Sequence, residues 1–153
     1  MANIEIKYDD RKVRRMLKRL SRRVSDMTPV MREIGGIVRT SVIKNFEVGG
    51  RYKAKGSIEG GAKRWRPRKK SRPQRILIQS GRLMGSINAR PSSDSVKIGP
   101  DNVVYGAIHQ LGGKAGRGKK VTIPARPYLV IQQEDKTEMI KAIDRHLKKG
   151  VRG

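Results

Sequence analysis

The sequence predicts a single α+β domain, in which a small antiparallel sheet packs with two N-terminal helices and a C-terminal helix, plus a long basic loop. Three observations predict this. The chain has 153 residues, a length at which one domain buries roughly two-thirds of its unfolded surface. Apolar residues recur at helical spacing near both ends, and short β-like runs separated by turn residues lie between them. Residues 1–153 are therefore treated as one domain.

The first predicted elements are a short strand and a basic helix. Ile4, Ile6 and Tyr8 alternate with polar residues, as in a half-buried strand. Asp10 then serves as the N-cap of a helix whose remaining positions are mostly Arg and Lys. Its apolar stripe consists of Val13, Met16, Leu17, Leu20 and Val24. We expect the stripe to pack on the core and the basic face to be solvated, with a nucleic-acid-binding surface as the alternative.

The second predicted helix begins at Thr28, whose hydroxyl is expected to cap it, with Pro29 in the first turn where a missing N–H costs nothing. Its apolar positions are Val30, Ile34, Ile37, Val38, Val42 and Phe46. Gly35 and Gly36 interrupt it, and each costs about 1 kcal/mol relative to alanine in a helix. We expect this pair to allow a close backbone crossing or a bend.

Residues 49–75 form a basic Gly/Pro-rich arm inserted between the second helix and the sheet. They hold eleven Lys or Arg, five Gly, two Pro and one acid, Glu59, without helical or strand periodicity. Loops of this length are usually functional or disordered. We expect an arm that is mobile in the free protein and ordered by a partner. Trp65 is expected to anchor it to the core; base stacking or cation–π contact is the alternative.

The remaining elements follow from turn signals. Ile76-Leu77-Ile78 returns to the core, and Ser80 caps a short helical turn. The turn composition of residues 90–94 separates two β-like runs, 86–89 and 95–98, which predicts a hairpin. A C-terminal helix is expected from about Glu134 to Gly150, with acids early and lysines late, which suits the helix dipole.

The stretch from Val103 to Leu129 is predicted to be a scaffold. We expect a short helix packed through Tyr105, Ile108 and Leu111, followed by a flexible basic loop containing Lys114 to Lys120. A strand at Val121-Thr122-Ile123 then ends at two prolines, 124 and 127.

Charge and composition limit the classes of function. The formal net charge is +24, so the protein should bind anions, either nucleic acid or an acidic protein. The absence of cysteine excludes disulfides and thiolate metal sites. No signal-peptide pattern and no apolar run near the ~18 residues of a membrane span is present. We therefore expect no membrane association. We expect the protein to stay in the cytoplasm, where it is made.

Catalytic chemistry is not predicted. His109 and His146 are the only histidines, and no Asp, Glu and His cluster has the spacing of a metal site. We expect His109 to be a satisfied structural histidine and His146 to lie at the surface. The Gly-rich run 112–118 lacks the phosphate-loop spacing. The prediction is a non-enzyme without metal or cofactor.

Known nucleic-acid-binding signatures are also missing from the sequence. There is no RNA-recognition motif, zinc finger or basic region joined to heptads. Any DNA contact should therefore be to phosphates, without sequence specificity and sensitive to salt.

Several segments together carry a resemblance to a known family. They are Arg64-Trp65-Arg66-Pro67, Ile76-Leu77, Ser80-Gly81-Arg82-Leu83, Ser86-Ile87, Gly99, Tyr105 to Gly112, and Ile123-Pro124-Ala125-Arg126-Pro127-Tyr128-Leu129. In this order they resemble the Mu-like phage virion morphogenesis family of tail completion proteins, over about residues 30–150. Gly106 and Leu111 depart from the family pattern, which usually has alanine and often an aromatic residue at these positions.

The resemblance implies a structural protein of the virion head–tail junction. It implies a homo-oligomeric ring, sixfold in symmetry, that contacts the adaptor, terminator or tail tube rings and touches packaged DNA non-specifically. Assembly would take place in the host cytoplasm. The alternative function is a free, non-specific nucleic-acid-binding protein that uses the basic arm and the first helix.

Two sets of residues are predicted to matter. The partner-binding or phosphate-binding set is Lys63, Arg64, Arg66, Arg68, Lys69, Lys70, Arg72, Lys114, Arg117, Lys119 and Lys120. The structural anchors are Trp65, Tyr105, His109, Gln110, Pro124, Arg126 and Pro127. No catalytic or metal-binding residue is predicted.

Overall fold

A computed structural model describes residues 11–67 and 76–151 of the chain. Its helices are α1 (Arg11–Ser25), α2 (Thr28–Val48), α3 (Arg82–Gly85), α4 (Gly106–Leu111) and α5 (Gln133–Val151), and its strands are β1 (Ile87–Pro91), β2 (Val96–Pro100), β3 (Gly113–Ala115) and β4 (Val121–Ile123). The predicted α+β class is confirmed. The predicted strand at residues 4–8 and the Asp10 cap lie outside the described residues.

The strands pair as two antiparallel hairpins. In the first, Ile87 lies opposite Pro100 and Pro91 opposite Val96. In the second, Gly113 lies opposite Ile123. The first hairpin was predicted, although β1 runs one residue past the expected Arg90 start of the turn. The second was not fully predicted, because β3 lies within a Gly/Lys-rich run that was expected to be a flexible loop.

Helix α2 is the centre of the core. Val30, Ile34, Val38, Val42 and Phe46 follow one another at four-residue intervals, and none is more than 7% exposed. This spacing places them along one side of the helix. Helix α2 packs against both strands of the β1–β2 hairpin and against α5.

The aromatic part of the core joins α2 to two distant segments. The Phe46 ring meets Trp65 edge-on, with centroids 5.7 Å apart and an interplanar angle of 77°. Its centroid is 5.2 Å from that of Tyr128. Such pairs contribute about 0.5–1.5 kcal/mol beyond the apolar area they bury.

The start of α2 differs from the prediction in one detail. Thr28 is the first helical residue rather than the cap, and its amide donates to the Asp26 carboxylate over 3.0 Å. Hydrogen bonding from Thr28 lowers the pKa of Asp26. Met27 occupies the N-cap position and makes no side-chain cap hydrogen bond, so the Asp26 carboxylate satisfies the free N–H of Thr28 instead.

Only one glycine of the α2 pair permits a close crossing. A Cβ built on Gly35 would lie 2.8 Å from Ala89 Cβ and 3.2 Å from Val96 Cγ2. The β1–β2 hairpin therefore crosses α2 at Gly35. Around Gly36, nothing among the described residues lies within 4 Å of the corresponding position.

Helix α1 forms where predicted, but the expected packing of its stripe is wrong. No α1 residue is buried in the described structure, and Leu17 and Val24 are 54% and 57% exposed. Its main contact is with α5, where Arg23 donates to the backbone oxygen of His146 over 3.3 Å. The physical reason is that the α2 stripe already fills the core, so α1 is left along its edge.

The packing of α4 also differs from the prediction. Gly106 and Gln110 are its buried residues, whereas Tyr105 and Leu111 are 40% and 58% exposed. A Cβ on Gly106 would lie 2.9 Å from the Tyr128 hydroxyl. The missing Cβ at Gly106 therefore lets the Tyr128 hydroxyl approach the helix.

Helix α5 follows the predicted charge order. Glu134 and Asp135 lie in its first turn, and Lys148 and Lys149 in its last. Its start is one residue earlier than expected, and Gly150 does not end it, since it runs to Val151. Frayed helix ends commonly shift by one or two residues, because a glycine in the last turn still allows helical geometry.

Candidate partner-binding surface

The described part of the basic arm, residues 49–67, is folded onto the core, so the expectation of a mobile arm is wrong for these residues. Tyr52 bridges to Gly60 and to Lys63. The amide of Ile131 donates to Ile58 O over 2.8 Å, and the amide of Gly60 donates to Ile131 O over 2.9 Å. Isolated bridges of this kind leave no periodic pattern in the sequence.

The arm glycines permit close approach, which is the physical reason why this basic, glycine-rich segment folds. A Cβ on Gly60 would lie 2.1 Å from the Gln132 amide oxygen, and one on Gly61 would lie 2.9 Å from Tyr52 O. A side chain at either position would push the arm off the core. A composition that suggests flexibility here serves tight packing instead.

Trp65 fastens the arm to the core. Its side chain is 3% exposed, and its Nε1 donates to Pro127 O over 2.8 Å. Its amide donates to Gly49 O over the same distance. A ring buried in this way has no free face for stacking on a base, so the geometry is that of an anchor.

The cations around Trp65 have different surroundings. Lys63 and Arg66 are exposed, and Arg66 O accepts from the Arg126 side chain. Arg64 instead donates to Val48 O over 2.6 Å, where it satisfies a carbonyl at the end of α2. Four predicted residues, Arg68, Lys69, Lys70 and Arg72, lie outside the described residues.

The tip of the second hairpin is a compact cationic feature of the described chain. We define the hairpin tip as Lys114, Arg117, Lys119 and Lys120. All four residues are exposed, and residues 113–123 contain no acid. A 3-10 turn at Arg117–Lys119 shapes the tip, with positive φ at Gly118 and at Lys119. The tip therefore projects four like charges on a short, tightly turned hairpin.

The base of this hairpin is held by α4. Gln110 Oε1 accepts from the amides of Tyr128 and Leu129, each over 2.9 Å. Gln110 Nε2 donates to Leu129 O, so one buried side chain satisfies three backbone groups. The amide of Arg126 donates to His109 O over 2.7 Å. With Pro127 buried and Pro124 half-buried, this network fixes how the tip leaves the core.

His109 differs from the satisfied histidine that was expected. Within the described residues, its buried Nδ1 has no hydrogen-bond partner. Burial, and then the Arg126 charge, lower the pKa of the ring, so His109 is neutral at pH 7. It borders a cavity of about 340 Å³ together with Ser80, Tyr105 and Arg126. Among the described residues that line it, none is a carboxylate that could orient the imidazole as a base.

Among residues 11–67 and 76–151, no three His, Cys, Asp or Glu side chains are grouped so as to hold a metal ion. No helix in those ranges combines the length and apolar character needed to cross a membrane.

Sequence reasoning missed the role of Arg51. Its guanidinium donates to Asn45 Oδ1 over 2.9 Å, to Ser41 Oγ over 2.9 Å and to Glu134 over 3.0 Å. One arginine thus joins the arm to α2 and α5. The available signal was a pair of polar residues, Ser41 and Asn45, one turn apart on the otherwise apolar side of α2, because buried polar groups need partners.

The sequence model of the phage virion morphogenesis family matches residues 8–148 of this chain. The chain belongs to that family. The resemblance seen in its motifs is therefore confirmed. It is also similar to the Mu-like prophage FluMu G protein 2 of Haemophilus influenzae, with 36% identity over 143 residues that cover 94% of each chain. No solved structure matches.

Family membership gives the protein a role in phage virion morphogenesis. It implies a virion-associated protein that interacts with other virion proteins. It also favours a structural role over a catalytic one.

Proposed function

We propose that this virion morphogenesis protein is a tail completion component of the head–tail junction, which assembles as a homo-oligomeric ring and joins or stabilises head and tail. The observation that carries the proposal is the hairpin tip, four exposed cations on a hydrogen-bonded base, with no acid in residues 113–123. Such a projection suits docking against an acidic ring, because complementary charge steers and orients protein association. The exposed Lys63 and Arg66 add to the same basic surface.

The size of the net charge favours acidic protein over DNA as the main binding partner. Each copy carries +24, and six copies would match the phosphate charge of roughly 240 Å of duplex at one charge per ~1.7 Å. A neck ring contacts far less DNA than that. Most of the charge therefore faces acidic neighbouring proteins, and DNA contact is limited to non-specific phosphate pairing.

The test mixes purified protein with tailless heads and free tails, and joined particles are counted by electron microscopy. A variant with Lys114, Lys119 and Lys120 changed to Gln should join at least about tenfold fewer particles. The matched control changes Lys44, Lys97 and Lys136 to Gln, three exposed lysines away from the tip, and should stay within about twofold of wild type. Equal losses in both variants would show that total charge alone matters.

The nucleic-acid alternative is tested on the same samples. Duplex DNA is titrated at rising salt, and the affinity should fall steeply with salt if phosphates are bound. Tight DNA binding by a protein that has no effect on head–tail joining would overturn the proposal. Sedimentation velocity on the free protein and on joined particles would test the ring.

A further inference from the structure

Helix α1 leaves its apolar stripe only partly covered. The α1 stripe consists of Val13, Met16, Leu17, Leu20 and Val24. Four of these side chains are 36–57% exposed, and Leu20 is half-buried. A helix with one apolar stripe normally turns it toward a core. In the described structure, α1 runs along α5 without burying any residue.

The stripe is bordered by a uniform charge. Eight of the fifteen α1 residues are Arg or Lys, and none is acidic. Whatever covers the stripe must therefore bring apolar side chains flanked by negative charge. This combination limits the occupant more than either property alone.

A second copy of the chain does not offer such a surface within the described residues. Two α1 helices would place like charges against each other. Of the described acids, six are in ion pairs, namely Glu33, Glu59, Asp101, Glu134, Glu138 and Asp144. Asp26, Asp94 and Asp135 accept local hydrogen bonds. Only Glu47 among the described acids lacks such a contact.

Nucleic acid and a lipid bilayer fit less well than protein. A phosphate backbone would pair with the cations but leave the apolar stripe in water. Helices that lie in membrane interfaces usually carry bulky Trp, Phe or Leu on the apolar face. Two of the five residues of the α1 stripe are Leu, but none is aromatic, so the Trp and Phe anchors of such helices are missing. Its apolar row with charged flanks is the pattern of helix-to-helix recognition.

We propose that the α1 stripe is a docking site for an acidic amphipathic helix of a partner protein. The stripe spans residues 13–24, about 16 Å along the helix at 1.5 Å per residue. A complementary helix of about three turns would place Leu or Ile on the stripe and Glu or Asp beside the flanking arginines. This surface is separate from the hairpin tip and does not depend on the head–tail proposal.

The test uses the full chain and a designed peptide. The probe is a labelled 18-residue peptide with Leu at helical spacing and Glu at most other positions. Its control is a scrambled peptide of equal composition without that spacing. Fluorescence anisotropy should show at least about tenfold tighter binding of the amphipathic peptide. Leu17→Gln should weaken it by about tenfold. Ile140→Gln, at a side chain that is 67% exposed on α5, should change it less than twofold.

Each alternative occupant has its own outcome. Equal binding of both peptides would overturn the proposal, since charge alone would explain it. A wild-type dimer in sedimentation velocity that Leu17→Gln dissociates would assign the stripe to a second copy. Tighter peptide binding by the double variant Ile4→Gln/Ile6→Gln would mean that residues 1–10 occupy the α1 stripe in the wild-type chain and compete with the peptide. Loss of binding to phosphatidylserine vesicles or duplex DNA in Leu17→Gln, with peptide binding unchanged, would assign it to those surfaces.

Discussion

Helices α1 and α2 are consecutive, both amphipathic, and differently used. The α2 stripe is buried along its whole length, with Val42 and Phe46 fully covered. The α1 stripe has no buried member. The α2 stripe adjoins small or uncharged residues such as Gly35 and Ser41, which let the hairpin and Arg51 approach. Cations flank the α1 stripe on both sides, so apolar periodicity predicts a face without predicting what covers it.

The largest expected effect is in α2. Phe46→Ala should reduce the free energy of unfolding by about 3–5 kcal/mol, since it removes a ring that contacts Trp65 and Tyr128 and leaves a cavity. Urea denaturation followed by the fluorescence of Trp65, the single tryptophan, measures it directly. A loss below about 1 kcal/mol would mean that α2 is not the centre of the core.

Gly35 and Gly36 allow a matched test of the close crossing within α2. Gly35→Ala should destabilise the fold by about 1 kcal/mol or more, because its Cβ would lie 2.8 Å from Ala89 Cβ and overpacking outweighs the gain in helix propensity. Gly36→Ala is the matched control and should stabilise by up to about 1 kcal/mol. Both are measured by urea denaturation, and the same sign in both variants would contradict the crossing at Gly35.

Sequence patterns predicted the elements that depend only on residues close together in the chain. The α2 stripe, the β1–β2 hairpin and the acid-to-lysine order of α5 each depend on a short stretch of sequence, and each was found, although the turn begins after Pro91 rather than at Arg90. The described arm was not predicted, because its pairing partner, Ile131, lies about seventy residues further along the chain. Glycines that permit close packing and glycines that permit flexibility look alike in a sequence. No local sequence pattern predicts which residues contact the α1 stripe.

A smaller effect is expected at Asp26, which links α1 to α2. Hydrogen bonding from Thr28 lowers the pKa of this carboxyl below its usual 3.8, so the folded state favours the ionised form. The resulting stabilisation is present above pH 3.8 and is lost as the pH falls through the lowered pKa. Asp26→Asn should lower the thermal midpoint slightly at pH 7.

The pH dependence distinguishes the Asp26–Thr28 hydrogen bond from general charge effects. The difference in thermal midpoint between wild type and Asp26→Asn should shrink as the pH falls below about 3.8. Calorimetry at pH 7, 5 and 3 measures it. A difference that stays constant down to pH 3 would show that the variant acts through something other than the Asp26 charge.

The smallest expected effect is in the α1 stripe. Leu17→Gln should change the free energy of unfolding by less than about 0.5 kcal/mol, because the side chain is 54% exposed and both residues are good helix formers. Urea denaturation on the same protein used for peptide binding measures it. A loss above about 1.5 kcal/mol would mean that the folded chain itself covers Leu17, and α1 and α2 would then serve one core. A near-neutral result leaves the stripe available to a partner, since a side chain that contributes little to the fold is free to contribute to binding.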